Sequence, residues 1–490
     1  MAKTENGFIL ALDQGTTSSR SIIFDNQLTP IAIAQKPLGI ITPKAGFIEQ
    51  NANDIWQTQI STAQEVIAKA GLLATDISAI GITNQRETTI IWHKKTGKPV
   101  APAIVWQDRR THQWCRDWRD KGFDAKIQQI TGLRIDPYFS ASKIVWLLNQ
   151  NPKLRQQALA GELAFGTVDS WLLFNMTGEH SIDITNASRT MLMDLRTLEW
   201  DEELCRELGV PVGMLPAIRP SISEFGRVRR RGPLGGVPIT GVLGDQQAAL
   251  FGQRCLGEND AKMTYGTGLF MLLNTGTTPR ISDTGMLTTV AYQREGEAPV
   301  YAQEGSVAVG GALIQWLRDQ LGILRTAEES EVLAAQVPDS GGVTIVPAFS
   351  GLFAPRWRPD ARGIISGLTR FVDRRHIARA ALEATCLQTL EVVRAMGGDP
   401  RRLQVDGGMT SNNLLMQMQA DILDIDVVRL ANIETTVMGA ASAAAMGISL
   451  IDAPLDLGAT TTFQSEMAGP DRDRLIARWE DAVARTLEQA

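Results

Sequence analysis

Short hydrophobic runs alternate with amphipathic stretches along the chain, a pattern typical of a mixed α/β protein. Residues 8–12, 21–24 and 79–83 are apolar runs of strand length, and each is followed by polar residues or glycine. Residues 54–69 and 376–396 instead have apolar positions at helical spacing. We therefore predict sheets of buried strands with helices packed against them.

The middle of the chain continues this alternation with less regular elements. We predict strands at 88–92 and 103–106, a passage from strand to helix at 165–174, and a return strand at 185–193. Much later, residues 403–408 form a predicted strand that ends in an acid and two glycines, and Asn412 opens a helix after it. A Gly-Gly turn before a helix N-terminus suits the adenosine or phosphates of a nucleotide, although this signal is weak in isolation.

Residues 239–252 place an acid at the junction between a predicted strand and a predicted helix. They combine a short apolar strand, a glycine turn and a helix that opens with Asp245, Gln246 and Gln247. An acid at the carboxyl end of a strand, beside a helix N-terminus, points into a cleft rather than into the core. Asp245 is therefore a candidate proton acceptor. On this stretch alone, a helix-capping role explains Asp245 at least as well.

Two hairpins rich in glycine and hydroxyl side chains lie far apart in the sequence. The first, residues 13–20, has Asp13 at its entrance and Arg20 at its exit, and Gly15 lets backbone N–H groups turn toward an anion. Short hydroxyl donors come from Thr16, Thr17 and Ser18, and a carboxylate at the entrance suits the water shell of Mg²⁺. The second, residues 262–273, repeats strand, Gly/Thr turn and strand. Neither contains the GxxxxGK[ST] sequence of a P-loop, so a nucleotide would be held between two hairpins.

Length and charge narrow the classes of function. A chain of 490 residues exceeds what one hydrophobic core supports, and the repeated hairpins suggest two related halves, which we place at residues 1–252 and 253–490. The formal charge of -6 argues against a nucleic-acid partner. The four cysteines and four histidines have no metal-binding spacing, and no apolar run approaches the length of a membrane span. These features are typical of a soluble, cytoplasmic protein.

Charged and aromatic residues appear where ordinary solvated side chains are not expected. Arg86 and Glu87 stand between two apolar strands, and Tyr138 lies in a turn ahead of a helix. With Asp245 they form a candidate acceptor site, which a protein that only clamps a nucleotide would not need. Two phosphate hairpins, an acid at a strand–helix junction and a Gly-Gly corner together describe an actin-like, two-domain ATP clamp.

Six motifs, in order along the chain, resemble the FGGY carbohydrate kinases, and in particular the members that phosphorylate glycerol. They are DQGTTSSR at 13–20, NQRETT at 84–89, WQxRR at 106–110, DPYFS at 136–140, GDQQAALFG at 244–252 and TYGTG at 264–268. GDQQ together with NQRETT distinguishes the glycerol enzymes from the pentulose and gluconate kinases of the same fold. The resemblance implies an α/β fold of two actin-like (ribonuclease H-like) domains with mixed sheets, and transfer of the γ-phosphoryl group of MgATP to glycerol in the cleft between them, giving sn-glycerol 3-phosphate and ADP.

The same resemblance assigns roles to individual residues. Glycerol would be bound by Arg86, Glu87, Tyr138, Asp245 and Gln246, with Trp106 and Phe270 against its carbon edge and Asp245 as the general base. Mg²⁺ and the phosphates would be surrounded by Asp13, Thr16, Thr17, Ser18, Arg20 and Thr267, with Asp13 holding the ion through water. Gly311, Gln315, Gly408 and Asn412 would hold the other end of the nucleotide. The resemblance also implies a homo-oligomer.

The chain departs from the family in three places. Residues 229–237 only partly match the Gly/Lys/Arg loop by which many bacterial members bind fructose 1,6-bisphosphate. No histidine occurs between His180 and His376, where other members are phosphorylated, and residues 356–358 differ from the usual aromatic-Trp-Asp pattern. A kinase for another small polyol or ketose, and a nucleotide-gated clamp without an acceptor, are the alternative interpretations.

Overall fold

The structure, a computed structural model, describes residues 7–230, 234–349, 351–358, 360–431, 434–456 and 458–489. Strands of the first part are β1 (Phe8–Gln14), β2 (Ser18–Phe24), β3 (Pro30–Pro37), β4 (Glu49–Gln50), β5 (Ile77–Asn84), β6 (Ile90–His93), β7 (Ala103–Ile104), β8 (Leu163–Gly166), β9 (Ser181–Asp183), β10 (Ala217–Arg219), β11 (Gly226–Arg227) and β12 (Pro238–Gly244). Helices of this part are α1 (Ala52–Ala70), α2 (His112–Asp120), α3 (Asp124–Thr131), α4 (Ser140–Gln150), α5 (Pro152–Leu159), α6 (Val168–Thr177), α7 (Ile184–Ala187), α8 (Glu202–Leu208) and α9 (Asp245–Gly252).

The second part repeats the mixture of strands and helices. Its strands are β13 (Ala261–Tyr265), β14 (Leu269–Gly276), β15 (Leu287–Tyr292), β16 (Val300–Val307), β17 (Thr344–Val346), β18 (Ile364–Ser366), β19 (Arg402–Asp406), β20 (Asp426–Leu430) and β21 (Thr460–Phe463). Its helices are α10 (Gly311–Asp319), α11 (Glu329–Ala334), α12 (Arg374–Met396), α13 (Asn413–Leu423), α14 (Thr435–Gly447) and α15 (Gly469–Glu488). The predicted α/β class is confirmed.

Two mixed sheets share one plan. The first has the strand order β11-β12-β5-β1-β2-β3, in which β1 and β2 form an antiparallel hairpin and β1, β5 and β12 run parallel. The second has the order β15-β16-β14-β13-β19-β20-β21, with the hairpin of β13 and β14 beside the parallel strands β13, β19 and β20. The predicted hairpins therefore occupy equivalent places, each at the centre of its own sheet.

Helix α14 comes from the second part of the chain but packs on the first sheet. A Cβ added at Gly81 of β5 would lie 2.2 Å from the carbonyl oxygen of Ala440, and one at Gly439 would lie 1.9 Å from the carbonyl oxygen of Ala248 in α9. Backbone therefore meets backbone along this contact, in agreement with the small-residue packing expected of an alanine-rich helix. The proposed division of the chain between residues 252 and 253 stays a prediction.

The predicted return strand at 185–193 is wrong. This segment begins with α7, whose first turn is capped by Asp183: its carboxylate accepts a hydrogen bond from the backbone N–H of Asn186. The Asn186 side chain in turn donates to Asn84 at the end of β5, over 3.1 Å. These polar contacts stabilise a short helix and turn where the apolar residues alone favoured a strand.

Residues 231–233 lie outside the described residues. They belong to the segment 229–237, which the sequence analysis compared with a regulatory loop. Within the described ranges, no helix is both long enough and apolar enough to cross a bilayer.

Candidate functional site

The candidate site begins where three parallel strands of the first sheet end together. The register places Gln14 of β1 beside Asn84 of β5, and Asn84 beside Gly244 of β12. The residues that follow these strands are the first hairpin turn, Arg86 with Glu87, and Asp245. Because the carboxyl ends of parallel strands meet at one sheet edge, residues distant in sequence converge there.

Arg86 connects the predicted acceptor residues. Its guanidinium is buried, with Nε 3.3 Å from Asp245 Oδ1 and 3.9 Å from Glu87 Oε1. One Nη donates a hydrogen bond of 3.3 Å to the hydroxyl of Tyr138. The structure thus brings Arg86, Glu87, Tyr138 and Asp245 together, although they come from three separate segments of the chain.

Three aromatic rings form a wall beside this group. The ring centroid of Trp106 lies 5.7 Å from that of Tyr138 and 6.2 Å from that of Phe270, both in edge-to-face geometry. The indole N–H of Trp106 donates to Thr16 Oγ1 at 3.0 Å. The wall therefore touches the first hairpin on one side and the acceptor residues on the other.

Arg189 and Glu304 belong to the site, and the sequence analysis missed both. Glu304 lies in β16 and accepts hydrogen bonds from Arg86 Nη1 at 2.5 Å and from Arg189 Nη2 at 2.8 Å. Arg189 Nε also donates to Glu87 Oε1 at 2.7 Å. A charged residue inside the otherwise buried strand 300–307 was the available signal for Glu304.

This ion-pair network fixes the charge of its members. Burial pushes the pKa of Glu304 up, but Arg189 and Arg86 outweigh it, so its pKa lies below the ordinary value and it stays ionised. Burial raises the pKa of Tyr138, which therefore remains a neutral phenol able to donate a hydrogen bond. The site consequently presents two buried guanidinium groups, the ionised Glu304 and one hydroxyl donor, while burial raises the pKa of Glu87.

Asp245 is the first residue of α9 and not its N-cap, which is Gly244. Its carboxylate accepts the backbone N–H of Gln246 at 2.7 Å, as a residue at the start of α9 can, and it also contacts Arg86. The side chain is 33% exposed. Burial of this position raises the pKa of Asp245, while Arg86, the Gln246 N–H and Lys262 oppose the rise. The result is a more basic carboxylate than an ordinary aspartate, which suits proton acceptance.

The backbone of Glu87 is strained. Its φ of 59° lies in the left-handed region, which is uncommon for a residue with a side chain. The carbonyl oxygen of Glu87 is held by the hydroxyl of Ser140 at 3.0 Å, and Glu87 Oε1 by Arg189 at 2.7 Å. Strain that surrounding contacts enforce in this way is concentrated at functional sites.

Asp13 and Arg20 face each other across the base of the first hairpin. Asp13 Oδ2 lies 2.7 Å from Arg20 Nη2, and Arg20 also pairs with Glu434 ahead of α14. Ser18 Oγ accepts from Gln35 on the neighbouring strand, and Thr17 is exposed at the turn. Among the described residues no group of three acids, histidines or cysteines could hold a metal ion. Asp13 is a carboxylate of the kind that binds Mg²⁺ through water, since this ion commonly keeps several waters and takes its other ligands from phosphate oxygens.

A cavity of about 440 Å³ lies in the second part of the chain. Its lining includes the four residues predicted for the distal part of the nucleotide, Gly311, Gln315, Gly408 and Asn412, together with Thr267, which was predicted to face the phosphates. The start of α10 is tied to the second hairpin, since the N–H of Gly311 donates to the carbonyl of Gly266 at 2.9 Å. The hairpin turn and the helix N-terminus thus open into the same cavity.

Asn412 has a structural role as well as a place in this cavity. It is the N-cap of α13, and its Oδ1 accepts the backbone N–H of Leu415 at 2.8 Å. Because the side-chain oxygen of Asn412 is used in the cap, its side-chain nitrogen is the part that is suited to contact a nucleotide.

Gly244→Ala is expected to disturb the acceptor site without straining the backbone. Gly244 has φ -59° and ψ 150°, which alanine adopts easily, but an added Cβ would lie 2.8 Å from the side-chain carbons of Arg86. Displacing Arg86 should lower kcat/KM for the acceptor by about tenfold. Steady-state kinetics test this. Gly213→Ala is the matched control, because nothing lies within 4 Å of a Cβ there; equal kinetics in both variants would contradict the expectation.

Two domains of one protein family match successive parts of this chain. Residues 8–252 match the N-terminal domain, and residues 261–448 the C-terminal domain, of the FGGY family of carbohydrate kinases. Glycerol kinase of Nocardia farcinica (strain IFM 10152) is 52% identical over 492 residues, covering 98% of each chain. Glycerol kinase of Corynebacterium glutamicum (strain R) is 50% identical over 503 residues, covering 99% of each.

Solved structures of other kinases have the same fold as this chain. The crystal structure of Plasmodium falciparum glycerol kinase with ADP has a TM-score of 0.93 at 36% identity, covering 98% of each chain. A ligand-bound xylulose kinase from Lactobacillus acidophilus has a TM-score of 0.85 at 21% identity, over 98% of this chain and 97% of that one, and shares the fold.

Proposed function

This chain belongs to the FGGY family of carbohydrate kinases and is an ATP-dependent glycerol phosphotransferase, and from that premise we propose how its cleft carries out the reaction. The observation that supports the proposal most directly is the contact of Arg86 with Tyr138 and Asp245 at the edge of the first sheet. A triol needs several convergent polar groups and an apolar wall, and this is what the cleft provides.

Glycerol is bound between the charged group and the aromatic wall. Arg86 and Tyr138 donate hydrogen bonds to its hydroxyl oxygens, and Glu87 accepts from a hydroxyl proton. Trp106 and Phe270 pack against the carbon edge. An acceptor that lacks one of these hydroxyls leaves the site group that would face it without that partner, and it is bound less well.

Asp245 orients the terminal hydroxyl and takes its proton as the new P–O bond forms. A carboxylate is too weak a base to deprotonate an alcohol beforehand, so proton transfer accompanies bond formation. Phosphoryl transfer depends mainly on alignment and on neutralising charge. Asp245 is well placed for this role, since it is the acceptor-site carboxylate that is exposed to the cleft.

ATP binds between the two hairpins, with its distal end in the cavity that Gln315 and Asn412 line. Arg20 and the hydroxyls of Thr16, Thr17, Ser18 and Thr267 face the phosphates. Asp13 would hold Mg²⁺ through water, and the ion would supply charge neutralisation on the transferred phosphoryl group. Closure of the two halves excludes water and limits hydrolysis of ATP without transfer.

We also expect a cytoplasmic homo-oligomer, as the family resemblance implies. Size-exclusion chromatography with light scattering tests the assembly: a single monomeric species at micromolar concentration would contradict it.

An ADP-coupled assay over a small panel of acceptors tests the proposed function. We expect ADP release to depend on glycerol, to be weaker with dihydroxyacetone, erythritol and xylulose, and to be near background with ATP alone. Preference for a different acceptor would favour another polyol or ketose kinase. ADP release that does not respond to any acceptor would favour the clamp.

The fall of kcat/KM for glycerol at low pH should follow the protonation of Asp245. Since burial raises the pKa of this carboxyl despite Arg86 and Lys262, while Asp13 adds to the rise, the proton-accepting form is lost at a higher pH than for an ordinary aspartate. We expect kcat/KM for glycerol to rise with pH through this shifted pKa and then to level off. The residual activity of Asp245→Asn should lack this fall; a fall unchanged in that variant would assign it to another group.

A further inference from the structure

Lys262 is a fully buried lysine beside the acceptor site. It lies in β13, has 0% exposed surface, and is among the largest completely buried side chains of the protein. Its Nζ is 2.5 Å from Gln246 Oε1 and 2.9 Å from Thr264 Oγ1. A buried ammonium is costly unless it is paired and hydrogen-bonded, so its position next to α9 calls for a reason.

The chemistry of the ammonium group restricts the amide of Gln246. Lysine Nζ has three donors and no acceptor, so it can face only the oxygen of the amide. The amide nitrogen of Gln246 is then turned away from Lys262 and is left as a donor. Without Lys262, oxygen and nitrogen of the amide could exchange places at little cost.

We propose that Lys262 is a positioning residue that fixes the amide orientation of Gln246, so that Gln246 Nε2 donates to a hydroxyl oxygen of the acceptor. The inference rests on the proposed binding of glycerol between Arg86, Gln246 and the aromatic wall. Two neighbouring residues of α9 then have complementary roles: Asp245 accepts a hydroxyl proton and Gln246 donates to a hydroxyl oxygen. This pairing orients the triol about its own axis.

The site around Lys262 supports this role over a purely structural one. Burial lowers the pKa of Lys262, whereas Asp406, Asp245 and Glu304 act to raise it. These carboxylates favour the charged form, in which Nζ has no acceptor for the amide nitrogen, and the contact of Nζ with Gln246 Oε1 at 2.5 Å has the geometry that this form requires. Its second hydrogen-bond partner, Thr264, lies two residues further along β13.

A double-mutant cycle of Lys262→Met and Gln246→Leu tests the proposal on the full-length enzyme. Lys262→Met should raise KM for glycerol about twofold to threefold, with KM for ATP unchanged, because an amide free to exchange its oxygen and nitrogen is correctly oriented only about half of the time. In the Gln246→Leu background, where there is no amide to orient, the same change should leave KM for glycerol unchanged. Lys126→Met, at an exposed lysine paired with Glu203 and Glu207, is the matched control.

Additive effects of the two substitutions on KM would overturn the proposal. If Lys262→Met does not fold, Lys262→Gln provides the second variant: its amide can donate or accept, so it should also raise KM for glycerol, and an unchanged KM would contradict the orienting role. Failure of the proposed function is distinguishable, because it would appear as absent glycerol-dependent ADP release in the wild-type enzyme. In that case the two substitutions would still have non-additive effects on Tm.

Discussion

Asp245→Asn should lower kcat by about 10²–10⁴-fold while KM for glycerol stays within about threefold of the wild-type value, because removing a general base affects mainly the chemical step. Asparagine keeps the shape of the side chain and one oxygen, so contact with Arg86 and with the Gln246 N–H at the start of α9 survives. What is lost is the ability to take the hydroxyl proton. Steady-state kinetics with saturating ATP measure both constants.

Asp54→Asn is the matched control for this substitution. Asp54 lies in the first turn of α1, as Asp245 lies in the first turn of α9, but its side chain is exposed to solvent. It should leave kcat unchanged. Turnover close to wild type in Asp245→Asn would remove Asp245 from the role of base. If the free energy of unfolding falls together with kcat, Asp245 acts by stabilising α9 and not as a base.

Glu304→Gln should have the second largest effect, on stability as well as on acceptor binding. Glu304 is the buried anion shared by Arg86 and Arg189, and neutralising it leaves two buried guanidinium groups with less counter-charge. Breaking a buried charge pair in this way costs about 3–5 kcal/mol. We expect a fall of that size in the free energy of unfolding, and a drop in kcat/KM for glycerol of about 10²-fold as Arg86 shifts.

Denaturant unfolding and acceptor kinetics measure the two parts of this prediction. Glu297→Gln is the control, because Glu297 forms only an exposed pair with Arg294 and should change stability by less than about 1 kcal/mol. Glu304→Asp should recover part of the activity by restoring the charge at a shorter reach. A Glu304→Gln enzyme as stable and as active as wild type would show that Arg86 is positioned without Glu304.

The parts of the site that the sequence predicted are those whose signal is local. The two hairpins, the acid after β12 and the Gly-Gly corner each lie within a short stretch, where strand periodicity and turn residues are visible together. The cavity that contains Thr267, Gly311, Gln315, Gly408 and Asn412 brings two of these stretches together. Fold class could be predicted for the same reason, since most strand patterns were visible locally and one wrong strand, at 185–193, does not change the class.

The parts that the sequence did not predict depend on contacts between distant residues. Arg86 and Glu304 are separated by 218 positions, and Arg189 and Glu87 by 102. Nothing within a short window distinguishes such a charge from a solvated one, because its burial is decided by which elements pack around it. The erroneous strand at 185–193 has the same origin: Asn84, a hundred residues earlier, satisfies Asn186 and stabilises the helical turn.

The contact between α14 and the first sheet determines what happens when the chain is cut between residues 252 and 253. A polypeptide ending at residue 252 would retain every strand of the first sheet but lose the helix that covers Gly81 and α9. The apolar residues Ile9, Ala11 and Ala79, which pack with Val437 and Ala441 of that helix, would be exposed to water. Such a fragment should aggregate when expressed alone and become soluble when co-expressed with residues 253–490, in the manner of a split enzyme that reassembles from two pieces.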